Sequence, residues 1–135
     1  MYQLDFATRY PYSPSSTGIE VPIKLYYGGE FVRLPAKIDT GAADCLFQRA
    51  YAVELGIEVE AGQLETFSTA TGTFVAYGHM VEIDCLGHRN HAKVYFAKAE
   101  SFSRNVLGRR GWLDHHRMGL IDFESLLYLS PNLDI

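Results

Sequence analysis

Two runs of alternating residues, joined by a pair of glycines, constrain this chain more than any other feature. Ile19, Val21, Ile23 and Leu25 alternate with Glu20, Pro22, Lys24 and Tyr26. That is the period of a strand with one buried face. Gly28-Gly29 follows, a two-residue hairpin signal. Phe31 to Ile38 returns as the partner strand and runs directly into Asp39-Thr40-Gly41-Ala42. Such a hairpin aims a carboxylate from the end of a rigid arm, with no bulk in front of it. Pro22 lacks a donor and predicts an edge or bulged strand. Gly41 is expected to turn the backbone sharply and let a ligand approach it closely. Thr40 offers a hydroxyl that both donates and accepts. Lys37 is expected to point away from Asp39, with Ile38 between them.

The rest of the chain continues in the same manner. Leu46-Phe47 is a short apolar pair, and Gln48 to Leu55 has helical spacing that Gly56 ends. Ile57 to Ala61 reads as extended. Leu64 to Thr69 and Thr73 to Cys85 are strand-like, with Ala70-Thr71-Gly72 as a small turn between them. Ala92 to Ala97 is a further strand. A helix-like stretch around Trp112 and Leu113 runs to about Arg117, and Gly119 to Phe123 and Ser125 to Leu129 close the chain as short strands. Residues 1–17 hold Pro11 and Pro14 and read as an irregular arm, whose Tyr2, Phe6, Tyr10 and Tyr12 argue against a free tail. The expected division is therefore an arm over 1–17, one domain over 18–130 and a tail over 131–135. The whole is mostly β, a small closed barrel with one or two short helices.

Composition removes several classes of function. The 135 residues, 47% apolar and 21% charged, suit one globular domain. A net charge of -4 gives no electrostatic case for nucleic acid, and Arg104, Arg109, Arg110 and Arg117 form a cluster rather than a stripe. No apolar run approaches the length of a membrane span. Cys45 and Cys85 are too few for a disulfide framework. With no charged-then-apolar leader at the start, a cytoplasmic location is the expectation.

Asp39-Thr40-Gly41-Ala42 resembles the active-site loop of aspartic proteases, and the chain length is similar to the single-domain retropepsin branch. By average residue usage, Asp-Thr-Gly arises by chance in roughly two chains per hundred of this length. Two further features fall in the order a retropepsin subunit requires. The hairpin centred on Gly72 resembles the family's flap. Val106-Leu107-Gly108-Arg109 resembles the stretch that packs beneath the catalytic loop. The resemblance implies a retropepsin-like barrel in which Asp39 is catalytic. Gly41, Ala42, Thr71, Gly72 and Thr73 would bind substrate, and Thr40, Leu107, Gly108 and Arg109 would support the loop. It further implies a peptide or protein substrate, no cofactor and no metal. Ala43 departs from the pattern, since viral members often place an Asp there to pair with the Arg after the Gly. Asp44 is then the nearest partner for Arg109.

Peptide hydrolysis by this route uses two carboxyls, one ionised to activate water and one protonated to polarise the carbonyl. Unit charges about 3 Å apart at an effective dielectric near 20 repel by roughly 5 kcal/mol, so one proton stays on the pair. The chain holds no second Asp-Thr-Gly or Asp-Ser-Gly. The other half is expected from a second copy about a two-fold axis, which makes a homodimer the expected partner state. The competing reading is a silent retropepsin-like module that binds peptide or dimerises without cutting. Cys85, His88 and His91 have ligand-like spacing around a turn, but a solvent-facing polar turn is the plainer reading. Asp114-His115-His116 is more plainly a charged surface. Cys45 has no adjacent His and reads as a small buried apolar group.

Overall fold

The computed structural model describes residues 1–132. Ten strands follow in order among them, interrupted by one α-helix. They are β1 (Thr8–Pro11), β2 (Glu20–Tyr27), β3 (Glu30–Ile38), β4 (Leu46–Phe47), β5 (Gln63–Thr69), β6 (Gly72–Cys85), β7 (His88–Ala97), β8 (Val106–Leu107), β9 (His116–Ile121) and β10 (Leu126–Pro131). Helix α1 (Arg49–Glu54) lies between β4 and β5. The expected tail falls partly on residues 133–135, which lie outside the described residues.

The β2–β3 hairpin forms as its sequence requires. Gly28 and Gly29 take φ of 57° and 86°, the left-handed pair that a tight turn between right-twisted strands demands. Register then pairs Tyr27 with Glu30 and Pro22 with Pro35. Two prolines opposite each other have no N–H to exchange, so this is a non-hydrogen-bonded pair. Val21, Ile23, Leu25, Val32, Leu34 and Ala36 are all buried. β2 begins as an edge and gains β6 as a second neighbour only from Ile23, just past Pro22.

Seven strands lie in the order β2-β3-β8-β4-β7-β6-β5, and the additional β2–β6 pairing closes six of them into a barrel. β6 serves two partners along one edge. Residues 72–78 pair with β5 and residues 82–85 with β2. The change of partner falls at His79, whose Nε2 lies 2.9 Å from the Val59 carbonyl. This is why His79 interrupts an otherwise apolar face. The barrel is filled by Phe47, Phe96, Trp112, Ile83 and Leu107, each essentially inaccessible. Burying a side chain of this size contributes roughly 1.5–3 kcal/mol.

A second sheet, β1-β10-β9, is antiparallel throughout. Residues 1–17 are therefore not wholly irregular, because Thr8–Pro11 pairs with β10. Pro11 is tolerated because β1 is an edge strand of this sheet. Leu127 and Leu129 anchor β10 in the core. Tyr12 is buried and donates its hydroxyl to Asp122, a bond that pushes its phenol up to about 12. Two other segments differ from expectation. Val59–Ala61 is a 3-10 turn rather than extended chain. The helix-like stretch after Trp112 is a single 3-10 turn, Leu113–His115, and β9 begins at His116. Trp112 is fully buried, and the His116 ring is held 2.6 Å from its carbonyl. That bond fixes the chain in the extended course that follows.

Candidate active site

The end of β3 is gripped from several sides. β8 lies parallel to β3 on one edge and antiparallel to β4 on the other. Lys37 N donates to Asn105 O at 2.9 Å, and Asp39 N to Leu107 O at 3.0 Å. Ala42 N bonds back to Asp39 O at 3.1 Å. From the far side, Arg109 N donates to Ala42 O and Arg110 N to Ala43 O, both at 2.9 Å. Gly108 sits where these segments cross. A Cβ there would lie 2.2 Å from Asp44 O and 2.9 Å from Ala42 O, so any larger residue forces the loop open. Cys45 lies beneath, with Gly108 N 3.4 Å from its Sγ. Burial pushes its thiol up to about 12.

Asp39, Thr40 and Gly41 emerge from this grip onto the surface. One Asp39 carboxylate oxygen accepts from Gly41 N at 2.9 Å. Gly41 does not adopt a left-handed φ, so the expected sharp glycine turn is absent. Its service is the amide donor and an open approach, since among the described residues the only atom near a hypothetical Cβ is Asp39 Oδ1 at 3.3 Å. Among the described residues, neither the Thr40 hydroxyl nor any basic side chain is bonded to Asp39 or to its loop's tip.

The hairpin of β5 and β6 stands nearby through its stem. Phe67 stacks on Phe74 at 5.3 Å, meets Tyr95 edge-on at 5.2 Å, and Phe74 packs on Phe102. These rings join Leu46, Ala76 and Val106 in one cluster that also takes in Ala42. The stem is thereby packed against the same cluster as the loop. The tip is different. Ala70, Thr71, Gly72 and Thr73 are exposed, and Gly72 takes φ 141°. The Thr69 hydroxyl supplies the tip's side-chain bonds, to Thr71 N and Gly72 O.

The aspartyl protease family model matches residues 21–110, two thirds of the chain. The chain belongs to the aspartyl protease family. Its fold is retropepsin-like. A retropepsin-like aspartic protease from Rickettsia conorii superposes with a TM-score of 0.64 at 18% identity, over 91% of this chain and 97% of that one. The EIAV protease complexed with the inhibitor HBY-793 gives 0.55 at 16% identity, over 70% and 85%. No curated protein sequence matches the chain.

Within this aspartyl protease fold, the motif residues expected to act together do so only in part. Asp39, Gly41, Ala42, Leu107 and Gly108 share one bonded unit, and Arg109 joins it through its amide. The Arg109 side chain does not pair with Asp44. Arg110 does, with two bonds of 3.1 and 3.2 Å, because Asp44 and Arg110 are paired in a parallel bridge. Lys37 does not point away from Asp39. Residues two apart on a strand share a face, and both line one depression of about 420 Å³. A larger concavity, about 650 Å³, lies by Tyr10, Pro22 and Leu86 and contains none of the motif residues.

Asn105 was not among the residues expected here. Its side chain accepts from Gln48 N at 3.1 Å and donates to Pro35 O at 3.2 Å, so it ties β3, β8 and the start of α1 together. The one sequence signal for it is a polar residue directly ahead of an apolar pair. Among the described residues, no group of three histidine, cysteine or acidic side chains is arranged to hold a metal. Nor is any helix there long and apolar enough to cross a membrane.

Proposed function

We propose that this chain is one half of an aspartic endopeptidase, and that two copies bring their Asp39 carboxyls together about a two-fold axis. The observation that carries this reading is the exposed Asp39 at the end of a firmly held strand. Beside it stands a Thr40 hydroxyl without a partner among the described residues, on a chain with only one such motif. A carboxylate aimed outward from so rigid a support is suited to meet its equal from another subunit.

In the proposed dyad the two carboxyls hold one proton. The ionised Asp39 takes a proton from water as the oxygen attacks the peptide carbonyl. The protonated Asp39 donates to the carbonyl oxygen, and a proton then passes to the leaving nitrogen as the C–N bond breaks. Gly41 N steadies one carboxylate oxygen. Thr40 would bond across the axis and lock the loops, and Gly41 and Ala42 would meet the substrate backbone. Thr71, Gly72 and Thr73 would fold over the peptide as a flap and exclude water. Leu107, Gly108 and Arg109 hold the loop from below. In this reading residues 18–130 form the protease domain, 1–17 an arm laid on it and 131–135 a tail.

The test is cleavage of a mixed peptide library between about pH 4 and 7, run beside sedimentation over a concentration series. A dimer that cleaves, is blocked by a statine-type inhibitor and goes silent as Asp39→Asn supports the proposal. Turnover retained by Asp39→Asn would end it. The silent module remains the second reading, favoured by Ala43 and by an Arg109 side chain with no ion pair among the described residues. A folded dimer that cuts no peptide is its signature.

A further inference from the structure

The depression that holds Asp39 brings charged side chains of both signs together. Lys37, Arg104, Val106, Gln48 and Tyr51 line it, and so does Glu20. Lys37 is fixed there, with Nζ donating to Thr17 Oγ1 at 2.7 Å. Glu20 stands opposite Lys37 in the β2–β3 register, so its charge offsets that of the lysine. Arg104 is exposed and forms no ion pair among the described residues. Counting the Asp39 carboxylate, the hollow holds two cations and two carboxylates, and the Arg104 guanidinium is paired with neither carboxylate among the described residues. On the other side of Val106 the surroundings are apolar, built from Phe67, Phe74, Phe102 and Tyr95.

We propose that this hollow selects an acidic side chain of the peptide, one that flanks the bond to be cut, with Arg104 as its principal counter-charge and Lys37 as the second. The inference rests on the proposed endopeptidase activity and names its substrate class: peptides with a glutamate or aspartate adjoining the scissile bond and an apolar or aromatic residue close by. Arg104 is suited to this, because its planar guanidinium meets a carboxylate with two parallel bonds. An open surface pair contributes little. The same pair strengthens once the bound peptide displaces water and lowers the local dielectric.

The experiment uses the full chain. A charge-balanced peptide library first locates the cleaved bonds. Paired peptides, identical except for Glu or Gln at each position flanking such a bond, are then compared at about pH 6, where glutamate is ionised. The expected result is a kcat/KM for Glu over Gln of about tenfold at one flanking position, the scale of one charge-assisted bond. Arg104→Ala should collapse that ratio toward one, Arg104→Lys should keep only part of it because an ammonium cannot make the two parallel bonds, and Arg104→Glu should turn the preference toward a Lys peptide. Added salt should lower the ratio in the wild type. Cleavage beside apolar residues with no Glu preference would overturn the inference and leave the endopeptidase standing, with the stems of Lys37 and Arg104 serving as apolar wall. An unchanged ratio in Arg104→Ala would also overturn it. A chain that cuts nothing in the library fails at the earlier step, and the inference falls with it.

Discussion

Two of the three Thr-Gly pairs in this chain meet opposite fates. Thr40-Gly41 ends a strand that is bonded to β8 and capped by the amides of Arg109 and Arg110. Thr71-Gly72 ends a hairpin whose tip is exposed and bonded chiefly through one threonine hydroxyl. The glycines differ accordingly. Gly41 lies outside the left-handed region and donates its amide to a carboxylate, whereas Gly72 takes φ 141° to turn the chain with open space around it. A loop held by its neighbours fixes a side chain in position. A tip bonded only within itself lacks such bracing. One chain segment of each kind is what a proposed dyad with a closing flap requires.

The sharpest way to break this contrast is to loosen the gripped side. Gly108→Ala drives a methyl into the carbonyls of Asp44 and Ala42. Strain of that severity should cost roughly 3 kcal/mol or more, read as a lowered midpoint in urea unfolding. A loss under about 1 kcal/mol would mean that the loop can shift to make room. Asn105→Ala comes next. It leaves Gln48 N and Pro35 O without their partner, a loss of about 2 kcal/mol by the same measurement.

Smaller effects sharpen the comparison. Cys45 lies under the loop with its thiol pushed up to about 12, and Cys85 is likewise buried and raised to about 12. The raised value keeps both thiols protonated at about pH 8, and burial shields them, so a thiol reagent should react only as the chain unfolds. Rapid reaction of one thiol in the native chain would show the grip to be loose. At the tip, Thr71→Ala should change unfolding free energy by less than about 0.5 kcal/mol. Any effect of that variant is expected in peptide turnover instead. A large stability loss would mean that the tip is braced as firmly as the loop.

The gripped region was also the more legible one. Alternation from Ile19 to Leu25 and the Gly28-Gly29 pair are local signals, and each formed as read; the Asp-Thr-Gly string lies at the end of that hairpin, without the sharp turn expected at Gly41. β4 escaped notice as a strand because two residues carry no period, although it completes the barrel between β8 and β7. The Asp44 pairing went to Arg110 rather than Arg109, since the parallel bridge that sets it joins residues 66 positions apart. Strand β1 was hidden by Pro11 and by its partner lying at the opposite end of the chain. The shared face of Lys37 and Asp39, by contrast, was readable from alternation alone. It places both charges in one hollow.

The claim on which all of this depends is that one chain supplies half a reaction centre. It is tested most directly by mixing wild-type chains with Asp39→Asn chains at fixed total concentration, letting them exchange, and measuring peptide cleavage against the wild-type fraction. A dyad shared between two copies gives activity that falls as the square of that fraction. Activity that falls in simple proportion would mean that each chain cuts alone, and would contradict the account.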